Sequence, residues 1–167
     1  MINYQVDTKG LEEVIKTFAG ADKIVQQEFK TAMSKSTEKV ASLTKKIAPV
    51  GVSGELRASI NGKVTLIGSK DVEGVVGSPL PYAIYIETGT RPHYPPLAPL
   101  LLWVTRKLGV ADERQAYAIA KGIQRKIGAV GTAANPFLSN AFEMAEPQIE
   151  MYFDQALDKI TERLAKE

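Results

Sequence analysis

The stretch that decides the fold lies at residues 77–96, which read GSPLPYAIYIETGTRPHYPP. It holds five of the nine prolines, three of the six tyrosines and the only histidine of the chain. A short apolar segment at 82–87 lies between two proline-rich breakers, and such breakers mark turns and loops. This composition leaves three possibilities for the stretch: an active site, a binding loop or an assembly contact.

The segment 82–87 fits both an alternating strand and one face of a helix. Pro81 is a natural first helical residue, and Gly89 is a natural terminator. We therefore predict a short helix in which Tyr82 and Ile86 are buried.

The proline-rich segment that follows is predicted to be an exposed, mobile loop, because connecting segments of this composition run over the surface. Substitutions at 77–90 are expected to impair folding, whereas substitutions at 91–96 are expected to impair assembly of a folded protein. The candidate partner-binding residues of this loop are Arg91, Pro92, His93, Tyr94, Pro95 and Pro96.

Before the central stretch, the sequence predicts helices and a small sheet. An apolar face indicates a helix at 11–18, and a longer stripe indicates a second helix over 22–47 that Pro49 ends. The stripe of the second helix includes Leu43 and Ile47. Alternating apolar residues predict strands, the last two of which form an antiparallel hairpin, at 2–6, 59–67 and 72–77.

After the central stretch, the pattern is helical. Helices are predicted at 97–108, 112–127 and 136–166, and Asp112 is expected to cap the second of them. A Gly/Ala loop is predicted at 128–135 and a local disturbance at Pro147. The whole order predicts one α+β domain over 1–167. In it, long helices pack on one face of a small antiparallel sheet, and 97–132 form an α-helical insertion.

Composition excludes several classes of protein. The net charge of +2, from 21 basic and 19 acidic residues, is too balanced for nucleic-acid binding by the chain as a whole. The absence of cysteine excludes disulfide scaffolds, thiolate metal sites and cysteine nucleophiles. The first residues lack the pattern of a signal peptide, and no apolar window of about 18 residues indicates a membrane span. We expect a protein made in the cytoplasm.

The residues that carry chemistry do not form a catalytic set. His93 is the only imidazole, so a zinc site or a Ser-His-Asp mechanism would depend on it alone. Glu87 lacks the second carboxylate that general acid/base hydrolysis normally uses. We predict no enzyme, no metal and no cofactor. Glu87 is expected to bind backbone amides of the following turn or to pair with a basic residue, and a hydrolase using Glu87 and His93 is the least favoured alternative.

Charge is unevenly distributed along the helices. An acidic row on the last helix and a basic segment at 103–127 form two solvated faces, a complementary pair between subunits, or an acidic channel lining that does not grip DNA. A nucleic-acid-binding module that uses the basic faces of 22–47 and 103–127 is the main alternative function. The acidic row consists of Glu143, Glu146, Glu150, Asp154, Asp158 and Glu162.

Three blocks stand in a fixed order: SGELRASI at 53–60, VGSPLPYAIYIETGT at 76–90 and NPFLSNAF at 135–142. In this order they resemble the minor head–tail connector family of tailed bacteriophages of the siphovirus type, also called neck or tail-completion proteins. The residues that carry the resemblance are Pro49, Gly54, Leu56, Arg57, Ser59, Gly77, Pro81, Tyr82, Ala83, Glu87, Gly89, Thr90, Pro136, Phe137 and Leu138.

The resemblance implies a non-enzymatic virion assembly protein of a phage or prophage. Such a protein acts in the neck or at the end of the tail to join head and tail, as a ring-forming homo-oligomer. Its implied partners are further copies of itself and other phage neck or tail proteins, while DNA passes nearby without specific binding. Its implied location is the host cytoplasm during assembly and then the virion, with no membrane involved.

Overall fold

The computed structural model of the protein describes residues 4–5, 22–67 and 71–165. Helices dominate, and the strands come early in the chain. The elements in chain order are β1 (Tyr4–Gln5), α1 (Asp22–Ile47), α2 (Glu55–Ser59), β2 (Asn61–Ile67), β3 (Asp71–Gly77), α3 (Ala83–Thr88), α4 (Leu97–Lys107), α5 (Glu113–Val130) and α6 (Phe137–Leu164).

The sheet has three antiparallel strands in the order β1-β3-β2. Val76 of β3 pairs with Tyr4 on one side and with Gly62 on the other. Buried residues alternate along β3, as expected for a strand with one covered face. The α+β class is therefore confirmed: a small antiparallel sheet is covered by long helices.

Helix α1 lies very close to the sheet because two glycines face it. A Cβ atom at Gly62 would lie 2.4 Å from Thr37 Cγ2, and one at Gly74 would lie 2.6 Å from both Met33 Sδ and Thr37 Oγ1. Thr37 is buried there and donates its hydroxyl to the carbonyl of Met33 over 2.7 Å. Glycine at these two positions therefore allows the short distance between α1 and the sheet.

Gly74→Ala should lower the free energy of unfolding by about 1–3 kcal/mol, because the added methyl group overpacks the contact with Met33 and Thr37. The measurement is urea unfolding followed by far-UV circular dichroism. Gly51→Ala is the matched control, since nothing lies within 4 Å of a Cβ at that position. Equal unfolding midpoints for the two variants would contradict this account of the helix–sheet spacing.

The second long helix, α6, packs along α1 on the same layer. Phe29 and Phe153 stack with their ring centroids 5.9 Å apart, and Met33 and Ile160 are buried in the same apolar cluster. At one end of the pair, Arg163 Nη1 donates to Glu28 Oε1 over 2.7 Å. The core of the molecule therefore lies between this helical layer and the sheet.

The buried stripe of α1 differs from the predicted one near its end. Ile47 is exposed and Leu43 is only half-buried, whereas Thr44 and Ala48 are buried. Thr44 tolerates burial because its hydroxyl donates to the carbonyl of Val40 over 2.7 Å. The predicted stripe included the buried Ser36 but missed this satisfied threonine.

Helices α4 and α5 form a hairpin with an apolar cluster of its own, centred on Val104, Ala116 and Ala120. The predicted cap of α5 is confirmed, because Asp112 Oδ1 accepts from the Gln115 amide over 2.7 Å. The predicted loop from 128 is wrong at its start. Helix α5 runs on through Gly128 and ends at Val130. Gly131 follows as its C-cap, and its φ of 75° is a left-handed value that favours glycine.

Helix α6 is continuous from Phe137 to Leu164, so the predicted disturbance at Pro147 does not interrupt the helix. Pro147 and Glu143 are both exposed. The carbonyl that loses its helical hydrogen bond therefore lies on the side where water can bind it.

Some sequence predictions lie outside the described residues. Of the strand predicted at 2–6, only residues 4–5 are described, and they form β1. The helix predicted at 11–18, residues 68–70 of the hairpin turn and the chain beyond 165 fall outside the described part.

Candidate assembly site around the central motif

Helix α6 begins without a capping side chain of its own, because Pro136 holds the N-cap position. The acceptor comes from α3 instead. Glu87 is buried, with 4% of its surface exposed, and its Oε2 accepts from the Leu138 amide over 2.8 Å. Its Oε1 accepts from the Ser139 amide over 2.9 Å and from Ser139 Oγ over 2.6 Å. A carboxylate at this position satisfies free amides and favours the helix dipole.

Glu87 therefore binds backbone amides, but not those of the turn that follows it. Its partners lie 51 and 52 residues later in the chain. The same carboxylate joins the second and third sequence blocks, ETGT and NPFL. Both carboxylate oxygens accept hydrogen bonds from these donors, so Glu87 stabilises the fold.

A second link joins the same two segments just beyond α3. Thr90 and Thr132 form an antiparallel bridge, with amide-to-carbonyl distances of 3.1 and 3.3 Å and hydroxyl oxygens 2.9 Å apart. Gly89 and Gly131 both have φ of 75°. A Cβ at Gly89 would lie 2.5 Å from the Thr132 carbonyl oxygen, and one at Gly131 would lie 2.0 Å from the Thr90 carbonyl oxygen. Only glycine fits at these two positions.

The first sequence block also makes structural contacts. Arg57 Nη2 donates to the carbonyl of Ala48 over 3.0 Å and so binds the C-terminal end of α1. Ser59 Oγ lies 2.7 Å from Ser78 Oγ, which in turn accepts from the Leu80 amide over 3.1 Å. The structure brings the remaining residues of the three blocks to the same region: Gly54 has φ of 72° before α2, Gly77 ends β3, and Leu56, Ala83, Phe137 and Leu138 are buried.

Tyr82 departs from the prediction. It precedes α3 and is 40% exposed, whereas Ala83 and Glu87 are the buried residues of that helix and Ile86 is half-buried. Tyr82 lies one position before the inward face, so its ring is directed to the edge of the core. Pro81 beside it is also exposed.

Tyr82 lines an open cavity of about 300 Å³, called here the Tyr82 cavity. Burial of part of the phenol, and then the nearby carboxylate of Glu55, raise the pKa of Tyr82 above its usual value. Trp103 reaches this cavity from α4. The residues that line this cavity include Pro49, Val50, Glu55, Tyr82, Ile86 and Trp103.

The loop at 91–96 is exposed, as predicted, and Tyr94 is 73% exposed. It is also fastened to α5. The His93 amide donates to the Ile127 carbonyl over 3.3 Å, and Gln124 Nε2 donates to the Pro95 carbonyl over 2.7 Å. The Tyr94 ring lies against Gly128, where a Cβ would be 2.6 Å away. Sequence reasoning missed these anchors, because they join residues about 30 positions apart in the chain.

The other candidate chemistry does not come together. His93 Nδ1 lies 2.9 Å from the Arg91 carbonyl oxygen, while Glu87 is engaged at the start of α6. Within 4–5, 22–67 and 71–165, no group of three or more His, Cys, Asp or Glu side chains could hold a metal ion. Nor does any helix in those ranges have the length and apolarity to cross a bilayer.

The acidic row of α6 is exposed at each of its six positions. On the α4–α5 hairpin, Arg106, Lys107, Arg114, Arg125 and Lys126 are exposed as well. The two charged surfaces therefore both face outward on the isolated chain.

A family model described as "Bacteriophage HK97-gp10, putative tail-component" matches residues 12–89. This part of the chain is similar to a phage tail component. The resemblance to the head–tail proteins of phages is thereby confirmed at the level of a phage tail family. The matched tail-component segment contains α1, α2, the β2–β3 hairpin and α3, and it ends at Gly89. No curated protein and no solved structure matches the chain.

Proposed function

We propose that the protein is a non-enzymatic tail component of a tailed phage or prophage that joins head and tail. It would act in the neck or at the end of the tail, as a ring of identical copies. The observation that carries the proposal is the tail-component match over residues 12–89. The residues of the sequence blocks support it, because they are used for folding contacts and leave no catalytic set.

An open sheet edge supplies one surface for assembly. Strand β2 is the outer strand of the β1-β3-β2 sheet, so in the described part of the chain its far side is unpaired. A groove of about 560 Å³ runs along it, lined by Thr37, Lys45, Asn61 and Val64 among others. An unpaired edge accepts a strand from another chain through main-chain hydrogen bonds.

The loop at 91–96 and the two charged surfaces are further candidate surfaces for assembly. The loop is held on α5 by the hydrogen bond from Gln124. The acidic row of α6 is exposed, and its charge is opposite to that of the exposed basic residues on the α4–α5 hairpin. Contacts between different patches of identical subunits close into rings when the rotation allows. Their electrostatic part would weaken as ionic strength rises.

The test is a phage in which this gene carries an early stop codon, complemented from a plasmid. We expect electron micrographs of the uncomplemented lysate to show heads and tails that mature separately, or tails of abnormal length, with infectivity lost. Wild-type protein should restore joined particles. Normal infectious virions from the stop-codon phage would contradict the proposal.

Complementation also separates the loop from the fold. Arg91→Ala with Tyr94→Ala should give a folded protein that does not restore joining. Lys30→Ala with Tyr117→Ala is the matched control, because it removes one exposed cation and one exposed tyrosine from outside the loop. Full rescue by the loop variant would remove the loop from the assembly surface.

A further inference from the structure

We infer that the loop at 91–96 of one copy docks in the Tyr82 cavity of a neighbouring copy. The inference rests on the proposed function, because it specifies a contact through which copies would join. It commits to one occupant, a second copy of this chain, and to named groups on both sides.

The loop has the properties of a preorganised ligand. Three of its six residues are proline, which fixes φ near −65°, and residues before proline prefer extended backbone. Pro96 has φ −55° and ψ 138°, the values of a polyproline II segment. The bonds from Gln124 and to Ile127 hold this shape in the free chain. Docking would therefore cost little conformational entropy.

The cavity has the properties of a receptor for such a segment. Tyr82 and Trp103 are 40% and 38% exposed, and with Pro49 and Val50 they form an aromatic and apolar lining. Aromatic-lined grooves are the usual receptors for proline-rich extended segments. A volume of about 300 Å³ is at the lower end for a ligand site, enough for a few side chains.

Charge selects this loop as the occupant. Glu55 is exposed at the cavity and places a negative charge near Tyr82. Arg91 is the exposed cation at the start of the loop. The chain bends at Pro92, between Arg91 and Tyr94, and both of these side chains are exposed, so both are available to the partner. Arg91 would then pair with Glu55 while Tyr94 lies against Tyr82 and Trp103.

The loop and the cavity are different patches of the same chain. The cavity includes Tyr82 before α3, while the loop starts after Thr88, where α3 ends; six helical residues span about 9 Å. The loop of a chain is bound to its own α5 and leaves its own cavity open. A contact between two different patches can repeat head-to-tail, the arrangement that generates rings when the rotation closes. One such contact is small, so we expect it to be weak between two isolated copies.

The absence of cysteine makes a clean crosslinking test possible. One copy carries Ser53→Cys at the cavity, and a second, with a different tag, carries His93→Cys in the loop. A short bismaleimide is added to the mixture at high protein concentration. The mixed product should exceed that of a control pair by about five-fold. The control joins His93→Cys to Thr31→Cys, an exposed position on α1.

Charge reversal identifies the pair. Arg91→Glu in the loop copy should lower the yield by about five-fold, and Glu55→Arg in the cavity copy should restore it. Lys30→Glu in the loop copy, at an exposed cation of α1, is the matched control and should leave the yield unchanged. A mixed product no greater than the control pair, or a yield indifferent to charge reversal, would overturn the inference. The first of these is also the result expected if another protein fills the cavity.

The two hypotheses fail in different ways. If the stop-codon phage fails to join heads and tails but the mixed product shows no excess, the proposed function stands and this contact is wrong. If the crosslink follows the charge reversal but the stop-codon phage makes normal virions, the contact is real and the proposed function is wrong.

Discussion

Glu87→Ala should lower the free energy of unfolding by about 3–5 kcal/mol, because two amides and a hydroxyl at the start of α6 lose a charged acceptor. Leu138 is buried, so its amide cannot turn to water without opening the core. Each unsatisfied buried donor costs about 1–3 kcal/mol. Glu87→Gln should cost less, since one oxygen still accepts while the new NH₂ group faces a donor.

Urea unfolding followed by circular dichroism measures the loss of unfolding free energy, and hydrogen exchange shows which amides lose protection. We expect the amides of Leu138 and Ser139 to lose protection first in the Glu87→Gln protein. Glu143→Ala is the control, because Glu143 is an exposed carboxylate on the same helix and should change stability by no more than about 0.5 kcal/mol. If Glu87→Ala were as stable as Glu143→Ala, the cap would contribute nothing.

The second large effect is expected at the bridge between Thr90 and Thr132. Gly89→Ala should cost at least about 3 kcal/mol, since the residue has φ of 75° and ψ of −178°, a conformation that essentially only glycine adopts. The new methyl group would also lie 2.5 Å from the Thr132 carbonyl oxygen and 2.8 Å from the Ala134 nitrogen. These are backbone atoms, so no side-chain rotation relieves the clash.

Gly122→Ala should change the free energy of unfolding in the opposite direction. Gly122 lies inside α5, and nothing is within 4 Å of a Cβ there. Alanine should therefore stabilise the helix by about 1 kcal/mol through backbone entropy. The same urea experiment measures both variants. Stabilisation by both substitutions would show that the strained geometry at Gly89 is not required.

Local signals were enough to predict the helix over 22–47, the hairpin, the short helix after Pro81 and the Asp112 cap. Each of these depends on residues within a few positions of one another, which is where periodicity, breakers and caps carry information. The loop contact through Gln124 and the side on which Tyr82 lies depend on which elements meet. Those properties are set by packing and could not be read from either segment alone.

Glu87 marks the boundary between the two kinds of information. Its type and its place in a short motif indicated a carboxylate that binds backbone amides. The partner amides belong to a helix that starts at Phe137, whose own N-cap is a proline with no acceptor side chain. A helix without a local capping side chain can be capped by a residue that is far away in the chain. No local sequence pattern indicates which residue that is.

The bridge between Thr90 and Thr132 makes the chain leave the core and return to it at one point. Everything between those two threonines, including the α4–α5 hairpin, is an excursion whose ends are already joined. The entropy of closing such an excursion grows slowly, by about 0.6 kcal/mol for each doubling of its length. A change in the length of this excursion should therefore leave the rest of the fold in place. A fluorescent or affinity domain would be best inserted at its tip, near Gly109.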